Sequence, residues 1–387
     1  MKTQYDVIVV GAGPAGSIAA RTAAERGLSV LLLEKDRDVG YPVRCAEAVR
    51  KDGIEQFIEP DNKWIAAEVD KFSFNSPNGT EAVIDLKMTG YVLERRIFDY
   101  ELARMASKAG AEVLTKAYVY GLQFDDGRVG GVKFEYQGEE KHISSKIVIA
   151  ADGTESRVGR WAGLKTYIDI RDMECCAQVT ASNIKVNPKH IYFYFGKEVA
   201  PHGYLWVFPK GEDIANIGLG INGIMGKNKS ANSYLKDFLA RKFPVASILT
   251  MVAGGVPCSG TLKKISAPGI MLVGDAARQV NPLTGGGIVS GMIAGDIAAE
   301  IAAEAIKKNK LDSIRTYDSR WNNVLGKKHK IYNRLKEGIY NFSDEKFNRV
   351  AESFSKIPQE KRTIRGLFQT ALIDQPSLLL DVVKVFI

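Results

Sequence analysis

Near the start of the chain, Gly11-Ala12-Gly13-Pro14-Ala15-Gly16 carries the spacing G-x-G-x-x-G. Each glycine has a physical task at a pyrophosphate site. Gly11 permits a tight turn, Gly13 lets backbone approach the phosphates, and Gly16 lets a helix pack closely on a strand. Glu34 follows at the tip of the next apolar run, where a carboxylate accepts hydrogen bonds from ribose hydroxyls. A second glycine cluster, Gly285-Gly286-Gly287, comes after Gly274-Asp275 and Pro282 and opens a small-residue helix at Ile288. Such a helix start offers free N–H groups and a positive dipole end to an electron-rich ring. Arg95 or Arg96, at another helix start, is either a phosphate ligand or a surface arginine. Cys45 lies in a loop rich in Gly, Pro and charge, and reads either as an exposed thiol that matters or as a small apolar filler.

Those residues need elements to hold them. Tyr5–Val10 is a β-branched run of the kind buried in parallel sheets. Ser17–Arg26 predicts a helix closed by Gly27, and Ser29–Leu33 a second strand that delivers Glu34. Strand, turn, helix, strand and acid fall in the order that a dinucleotide site requires. From Trp64 to Tyr91 the pattern alternates around Pro77-Asn78-Gly79, which predicts a hairpin. A helix follows, running to about Ala109. Glu112–Leu114 and the stretch around Val119 predict strands, and Lys146–Gly153 another buried one ending in Asp-Gly. Residues 175–221 are again β and unusually aromatic. Tyr192, Tyr194, Tyr204, Trp206 and Phe208 sit at period-two spacing, which predicts one aromatic sheet face, either plain core or the lining of a pocket for a long apolar ligand. Gly269–Val273 is a last strand, and residues 311–387 read as helical, ending in an apolar run from Ser377 to Ile387 that docks on the body or faces lipid.

Bulk properties narrow the class. Charged residues at 25% and hydrophobic residues at 45% are those of an ordinary globular protein. No apolar run reaches the ~18 residues that span a bilayer, and Lys2 leads directly into the first strand rather than into a signal sequence. The four cysteines, Cys45, Cys175, Cys176 and Cys258, fit no zinc spacing, so no metal is expected; reduced thiols and a cytoplasmic location are. Net charge is +8, and residues 301–387 hold 17 Lys/Arg against 10 Asp/Glu, so seven of the eight lie there. No nucleic-acid motif accompanies this basic tail. A solvated helix face or an anionic membrane surface fits it better.

Three separated motifs together resemble the para-hydroxybenzoate-hydroxylase-like FAD proteins over about residues 1–310: the G-x-G-x-x-G with Glu34, Ala151-Asp152-Gly153, and Gly274-Asp275 with Pro282. Within that group, Pro42-Val43-Arg44-Cys45 and Tyr204-x-Trp206-x-Phe208-Pro209 followed by Gly218-x-Gly220 resemble the geranylgeranyl reductases, nearest the archaeal branch acting on digeranylgeranylglycerophospholipids. The resemblance implies FAD as cofactor, with Ala15, Glu34, Cys45, Ala46, Ala48, Arg95, Val119, Asp275, Gly287 and Ile288 touching it. The family often carries glycine where this chain has Ala46 and Ala48. It also implies an α/β fold, α+β in its second unit. Residues 1–60, 90–170 and 262–310 would form a discontinuous Rossmann-like FAD-binding domain, 61–89 and 171–261 an inserted antiparallel-sheet substrate domain, and 311–387 a C-terminal helical region.

The implied reaction is saturation of isolated C=C bonds in a geranylgeranyl lipid by hydride from reduced flavin. No carbonyl activates such a bond, so a developing tertiary cation needs support, and Tyr204 and Trp206 supply it through cation–π attraction. Cys45 and a bound water are equal contenders for the proton, since an ordinary thiol near pKa ~8.5 is a weak acid. The expected partners are the lipid, an electron donor (NAD(P)H, ferredoxin or another reduced carrier) and the membrane surface, without nucleic acid. Rival readings are an aromatic FAD monooxygenase, a halogenase (disfavoured because Trp-x-Trp-x-Ile-Pro is replaced here) and a non-catalytic lipid carrier that keeps FAD.

Overall fold

The computed structural model describes residues 1–385, apart from the side chains of Lys87 and Met88. Phe386 and Ile387 of the predicted apolar end lie outside the described residues. The chain divides into two compact units. The first comprises Met1–Val43, Arg95–Ile168 and Ser259–Lys330; the second comprises Arg44–Glu94, Asp169–Cys258 and the residues from Ile331 on.

The first unit is built on a mainly parallel sheet. Strand Gln4–Val10 lies between Val30–Leu33 and Glu139–Ala150, parallel to both, with Val7 opposite Val30 and Ile147. Glu112–Leu114 extends the sheet beyond Val30–Leu33, and Ile270–Leu272 extends it beyond Glu139–Ala150. Val7, Ile8, Val9, Leu31 and Leu32 are fully buried, which is why these strands are continuous apolar runs rather than alternating ones. Helix Pro14–Glu25 begins at the glycine turn with proline in its first turn, where the missing N–H costs nothing. The predicted helix after the hairpin starts only at Arg95, because Tyr91–Leu93 still belong to the preceding strand. Strands Ala117–Asp125 and Arg128–Tyr136 join Glu139–Ala150 as an antiparallel meander.

The second unit holds an eight-stranded sheet in the order Ser247–Val256, Glu174–Ser182, Ile214–Asn222, Tyr204–Pro209, His190–Tyr194, Ile65–Asn75, Glu81–Leu93, Ala48–Arg50. The hairpin of Ile65–Asn75 with Glu81–Leu93 has Phe74 opposite Ala82, and Gly79 takes the positive φ its turn needs. One pair departs from the antiparallel pattern: His190–Tyr194 runs parallel to Ile65–Asn75. Helix Ala231–Lys242, capped by the Ser230 hydroxyl, and edge strand Ser247–Val256 have no counterpart in the sequence reading.

The predicted aromatic face requires correction. Phe193 pairs across the sheet with Trp206, and Tyr192 with Val207. Cross-strand partners share a face. Tyr192 and Tyr194 therefore lie on the opposite side, packed with Leu205, Val207 and the Ala231–Lys242 helix; the Tyr194 and Phe238 rings meet at 5.0 Å. The wall that holds Tyr204, Trp206 and Phe208 is completed instead by Phe193 and Phe195.

The chain ends in helices Lys327–Tyr340, Asp344–Ser355, Ile364–Ala371 and Pro376–Val385. The last is held by Arg334, whose guanidinium donates two 2.8 Å hydrogen bonds to the buried Asp381 carboxylate. It buries Val382 while Leu380 stays 64% exposed, so the apolar end docks by one side and shows the other to its surroundings. No helix among the described residues is long and apolar enough to cross a membrane.

Candidate functional site

The first unit gathers the predicted pyrophosphate residues at the carboxyl ends of its parallel strands. Gly11 has φ +102°, and a Cβ there would lie 2.4 Å from the Ala151 carbonyl oxygen. A Cβ on Gly16 would lie 1.9 Å from the Gly11 carbonyl oxygen. Gly13 is different: a Cβ there meets no protein atom within 4 Å. Close packing below the turn and open space above the helix start together make a cradle of the shape a pyrophosphate fills. Glu34 is locked beside it, accepting from the Ala12 N–H at 2.8 Å and the Asp36 N–H at 3.0 Å. The Glu34 carbonyl accepts from Ala117 N–H, which ties the strand carrying the buried Val119 to this corner.

Asp275 approaches from the Gly274–Ala277 turn. Thr154 Oγ1 donates to its Oδ2 at 3.4 Å, and a Cβ on Gly287 would lie 3.2 Å from its Oδ1. Burial pushes the Asp275 carboxyl up, while Thr154 and the Arg95 charge pull it down. Arg95 itself donates to both oxygens of Asp99, at 2.6 and 2.7 Å. Its guanidinium is thus oriented by its own helix, while Arg96 lies over the Tyr41 ring. Gly285 takes φ +68°, Gly286 follows, and Gly287 caps helix Ile288–Lys307. Asp152 Oδ1 is buried without a hydrogen-bond partner among the described residues, while its Oδ2 accepts from the Val158 N–H at 2.9 Å. The open start of the first helix with Glu34 beside it, and the Asp275–Gly287 contact at the start of the second, have the shape a dinucleotide needs.

The second unit holds the other predicted residues. Cys45 Sγ accepts from the Glu47 N–H at 3.3 Å, and the Cys45 carbonyl accepts from Gln178 Nε2 at 2.8 Å. Gln178 Oε1 in turn accepts from Trp206 Nε1 at 3.0 Å. One amide therefore ties the Cys45 loop to the aromatic wall. Ala46 and Ala48 pack on the same cluster as Trp206 and Phe208. The paired glycines of the Gly218-x-Gly220 pattern acquire a reason: Gly218 lies opposite Trp206 and Gly220 opposite Tyr204. A Cβ on Gly218 would strike the Trp206 ring at 2.5 Å, and one on Gly220 would press on Cys176 Sγ at 3.1 Å. The next strand thus sets no side chain directly opposite either ring.

Sequence reasoning missed Gln178 and a buried charge cluster. Glu47, 4% exposed with φ +74°, accepts from Lys210 Nζ at 2.7 Å and from Asn216 Nδ2. Lys210 also reaches Glu94 at 2.9 Å. The available signal was polar Gln178 and Asn216 at inward positions flanked by apolar neighbours in their strands. Gln178→Leu is expected to cost about 1–3 kcal/mol, because it leaves the Trp206 N–H and the Cys45 carbonyl without their partner. A lowered urea midpoint with red-shifted tryptophan emission checks this; an unchanged midpoint would discard the bridge as a structural link.

Comparison with known proteins agrees with this geometry. Residues 172–256 match the geranylgeranyl reductase catalytic domain, the segment carrying Gln178, Tyr204, Trp206 and Asn216, and residues 6–198 match FAD dependent oxidoreductases. The digeranylgeranylglycerophospholipid reductase of Methanocella arvoryzae is 45% identical over 389 residues, covering 99% of each chain. That of Methanosarcina acetivorans is 46% identical over 100% of this chain and 97% of its own. A geranylgeranyl bacteriochlorophyll reductase-like protein from Thermoplasma acidophilum superposes with TM-score 0.93 at 35% identity, over 99% of both chains. A flavin-dependent brominase shares the fold alone, with TM-score 0.72 at 19% identity over 97% of this chain and 100% of its own. With a nucleotide cradle in one unit and an anchored aromatic wall in the other, the chain belongs to the geranylgeranyl reductase family and is an FAD-dependent oxidoreductase.

Proposed function

We propose that the protein saturates the isolated C=C bonds of geranylgeranyl chains in archaeal membrane ether lipids, converting digeranylgeranylglycerophospholipid to a saturated, archaeol-type lipid. Full-length identity of 45% to reductases of that name carries the reading. Bound FAD, once reduced, supplies the hydride. Gly11, Gly13, Gly16, Ala15 and Glu34 hold its adenosine and phosphate side. Val119, on the strand tied to Glu34, belongs to that same side. Arg95, Asp275, Gly285, Gly286, Gly287 and Ile288 act toward its ribityl and ring side, and Cys45, Ala46 and Ala48 are assigned to the ring. Cys45, Tyr204 and Trp206 are the proposed catalytic residues.

The protein's contribution to the chemistry is a dry, electron-rich wall. Trp206 is 6% exposed, and its ring meets Tyr204 edge-on at 5.9 Å and Phe208 at 6.3 Å. A carbocation that develops on the alkene is stabilised over such faces by about 1–2 kcal/mol once water is excluded. Trp206→Leu is therefore expected to lower the saturation rate about 10-fold while FAD is retained. Measured single-turnover flavin reoxidation by lipid checks this, and a rate within twofold of wild type would remove Trp206 from the mechanism.

The electron donor is a reduced carrier of the NAD(P)H or ferredoxin class. The protein works at the cytoplasmic membrane surface without spanning it, drawn by the basic residues of the tail and by Ile373 and Leu380, which are 66% and 64% exposed. The decisive experiment is anaerobic. FAD-loaded protein is reduced with dithionite and given a geranylgeranyl glycerolipid, and mass spectrometry follows the lipid. Gains of two hydrogens per double bond, in step with flavin reoxidation, establish the reaction. No gain, with oxygen-dependent hydroxylation of an aromatic substrate instead, overturns it.

A further inference from the structure

The reaction consumes one proton per double bond, and the second unit contains a buried acid that nothing above uses. Glu174 opens the strand Glu174–Ser182. Its side chain shares a face with Cys176 and Gln178, and therefore with Tyr204 and Trp206: Cys176 and Tyr204 both pair with Gly220, and Gln178 and Trp206 both pair with Gly218. Glu174 pairs with Asn222, one row beyond Tyr204 on that face.

Its surroundings are built. Glu174 is 7% exposed, and Lys336, on the helix Lys327–Tyr340, is 5% exposed. The Tyr340 hydroxyl donates to Glu174 Oε1. The Lys336 ammonium donates to the Cys258 carbonyl and lies 5.3 Å from the Tyr340 ring centroid, whose other neighbour is His202 at 5.5 Å. Glu174 Oε2 is buried with no hydrogen-bond partner among the described residues. The Tyr204 phenol, whose pKa burial raises, shares with Cys176 the pairing to Gly220, one row from Glu174. The acid and the phenol thus lie on one face of the sheet, and Gln178 ties the Cys45 loop to that same face.

We propose that Glu174 is the proton reservoir for saturation: Tyr340 fixes its carboxyl through Oε1, Oε2 carries the proton, and the Tyr204 hydroxyl passes it to the alkene. This rests on the reductase reading above. The step balances. Hydride from the reduced cofactor, carrying two electrons, forms one C–H bond as the C=C π bond breaks. The Tyr204 O–H bond breaks to form the second, and Tyr204 regains its proton from Glu174. The carboxylate left behind, which the Lys336 charge favours, is reprotonated from water before the next double bond.

Burial pushes the Glu174 carboxyl up to about 7, against the opposing pull of Tyr340, Lys336 and Asn222. The acid form is present below that value and is lost as pH rises through it. The wild-type saturation rate is thus expected to fall above about pH 7. The facing groups other than Glu174 are Tyr340, Lys336, Tyr204, Cys175, Cys176, Cys258 and His202. Burial raises Cys175, Cys176, Tyr204 and Tyr340, and lowers His202.

The test uses FAD-loaded protein, lipid reduction by mass spectrometry from pH 5 to 9, and infrared titration of the carboxyl band without lipid. Glu174→Gln is expected to lose the alkaline limb, to slow saturation about 100-fold, and to lose an infrared carboxyl that titrates near neutrality. Tyr340→Phe removes the hydrogen bond that favours the carboxylate, so the limb and the infrared titration are expected to move together to higher pH. Glu174→Gln within threefold of wild type, or slow with the limb unmoved, overturns the reservoir while leaving the reductase intact. If wild type adds no hydrogen at any pH, the reductase reading falls and this assignment falls with it.

Discussion

Gly16→Ala is expected to give a protein that is destabilised even without cofactor and is colourless on purification, whereas Gly13→Ala is expected to fold normally and fail only to hold FAD. The two residues share a motif but not an environment. Gly16 lies inside the helix Pro14–Glu25, where alanine is favoured over glycine by about 1 kcal/mol. Propensity therefore predicts stabilisation. Packing predicts the reverse, because the new Cβ would sit 1.9 Å from the Gly11 carbonyl oxygen and 3.0 Å from the Ala151 Cβ. The Gly11 backbone on one side and the Ala151 side chain, just past the strand Glu139–Ala150, on the other leave no room, and overpacking of this kind costs about 1–3 kcal/mol or more. The clash outweighs the propensity, and the helix start shifts away from the phosphates.

At Gly13 nothing of the protein opposes a methyl group. What it displaces is the phosphate. Loss of one or two charge-assisted backbone hydrogen bonds, worth about 1.5–3 kcal/mol each, weakens FAD binding by about 10-fold for one and about 100-fold or more for two. The measurement is a pair of numbers for each variant: thermal midpoint of the apoprotein, and flavin absorbance per chain after dialysis against a fixed FAD concentration. Equal apoprotein midpoints for both variants would refute the division of labour between the two glycines.

That division also marks what a sequence reveals. The nucleotide cradle was legible because its parts are local: turn, helix and acid fall within residues 11–34, and each residue type is forced by backbone geometry. The hairpin around Gly79 was legible for the same reason. The aromatic wall was only half legible. Period-two spacing says which residues of one strand share a face, but not how the phases of two strands align. That needed the pairing of Phe193 with Trp206. The polar residues left a trace in the strand pattern, but their partners were not legible. Gln178 and Cys45 are 133 residues apart, and Glu174 and Tyr340 are 166 apart. Neither partner carries a local sign of the other. Family resemblance supplied the loop cysteine and the aromatic pattern, yet it named none of the buried polar residues that hold them in place.

Among those residues, Lys210 is expected to matter most for stability, and more than its partner. Lys210→Met should lower stability by about 3–5 kcal/mol, since it removes the ammonium that balances the Glu47 carboxylate in a site where that side chain is 5% exposed. Glu47→Gln should cost less, about 1–2 kcal/mol. The amide keeps the shape and can still accept from Lys210, and Lys210 retains Glu94, whose side chain is 41% exposed to water. An exposed pair would show no such asymmetry and would weaken in salt. With side chains 8% and 5% exposed, the pair Lys210–Glu47 should hold its coupling at high salt. The consequence reaches the chemistry because Glu47 is the hub of the Cys45 loop: its N–H donates to Cys45 Sγ, its carbonyl accepts from Leu93, and its φ of +74° turns the chain between Ala46 and Ala48. Urea unfolding of the FAD-saturated variants at low and high salt gives the ranking, and a double-mutant cycle gives the coupling. A cost for Lys210→Met below 1 kcal/mol, or one that vanishes in salt, would mean that the loop is held by its backbone and by Gln178 alone.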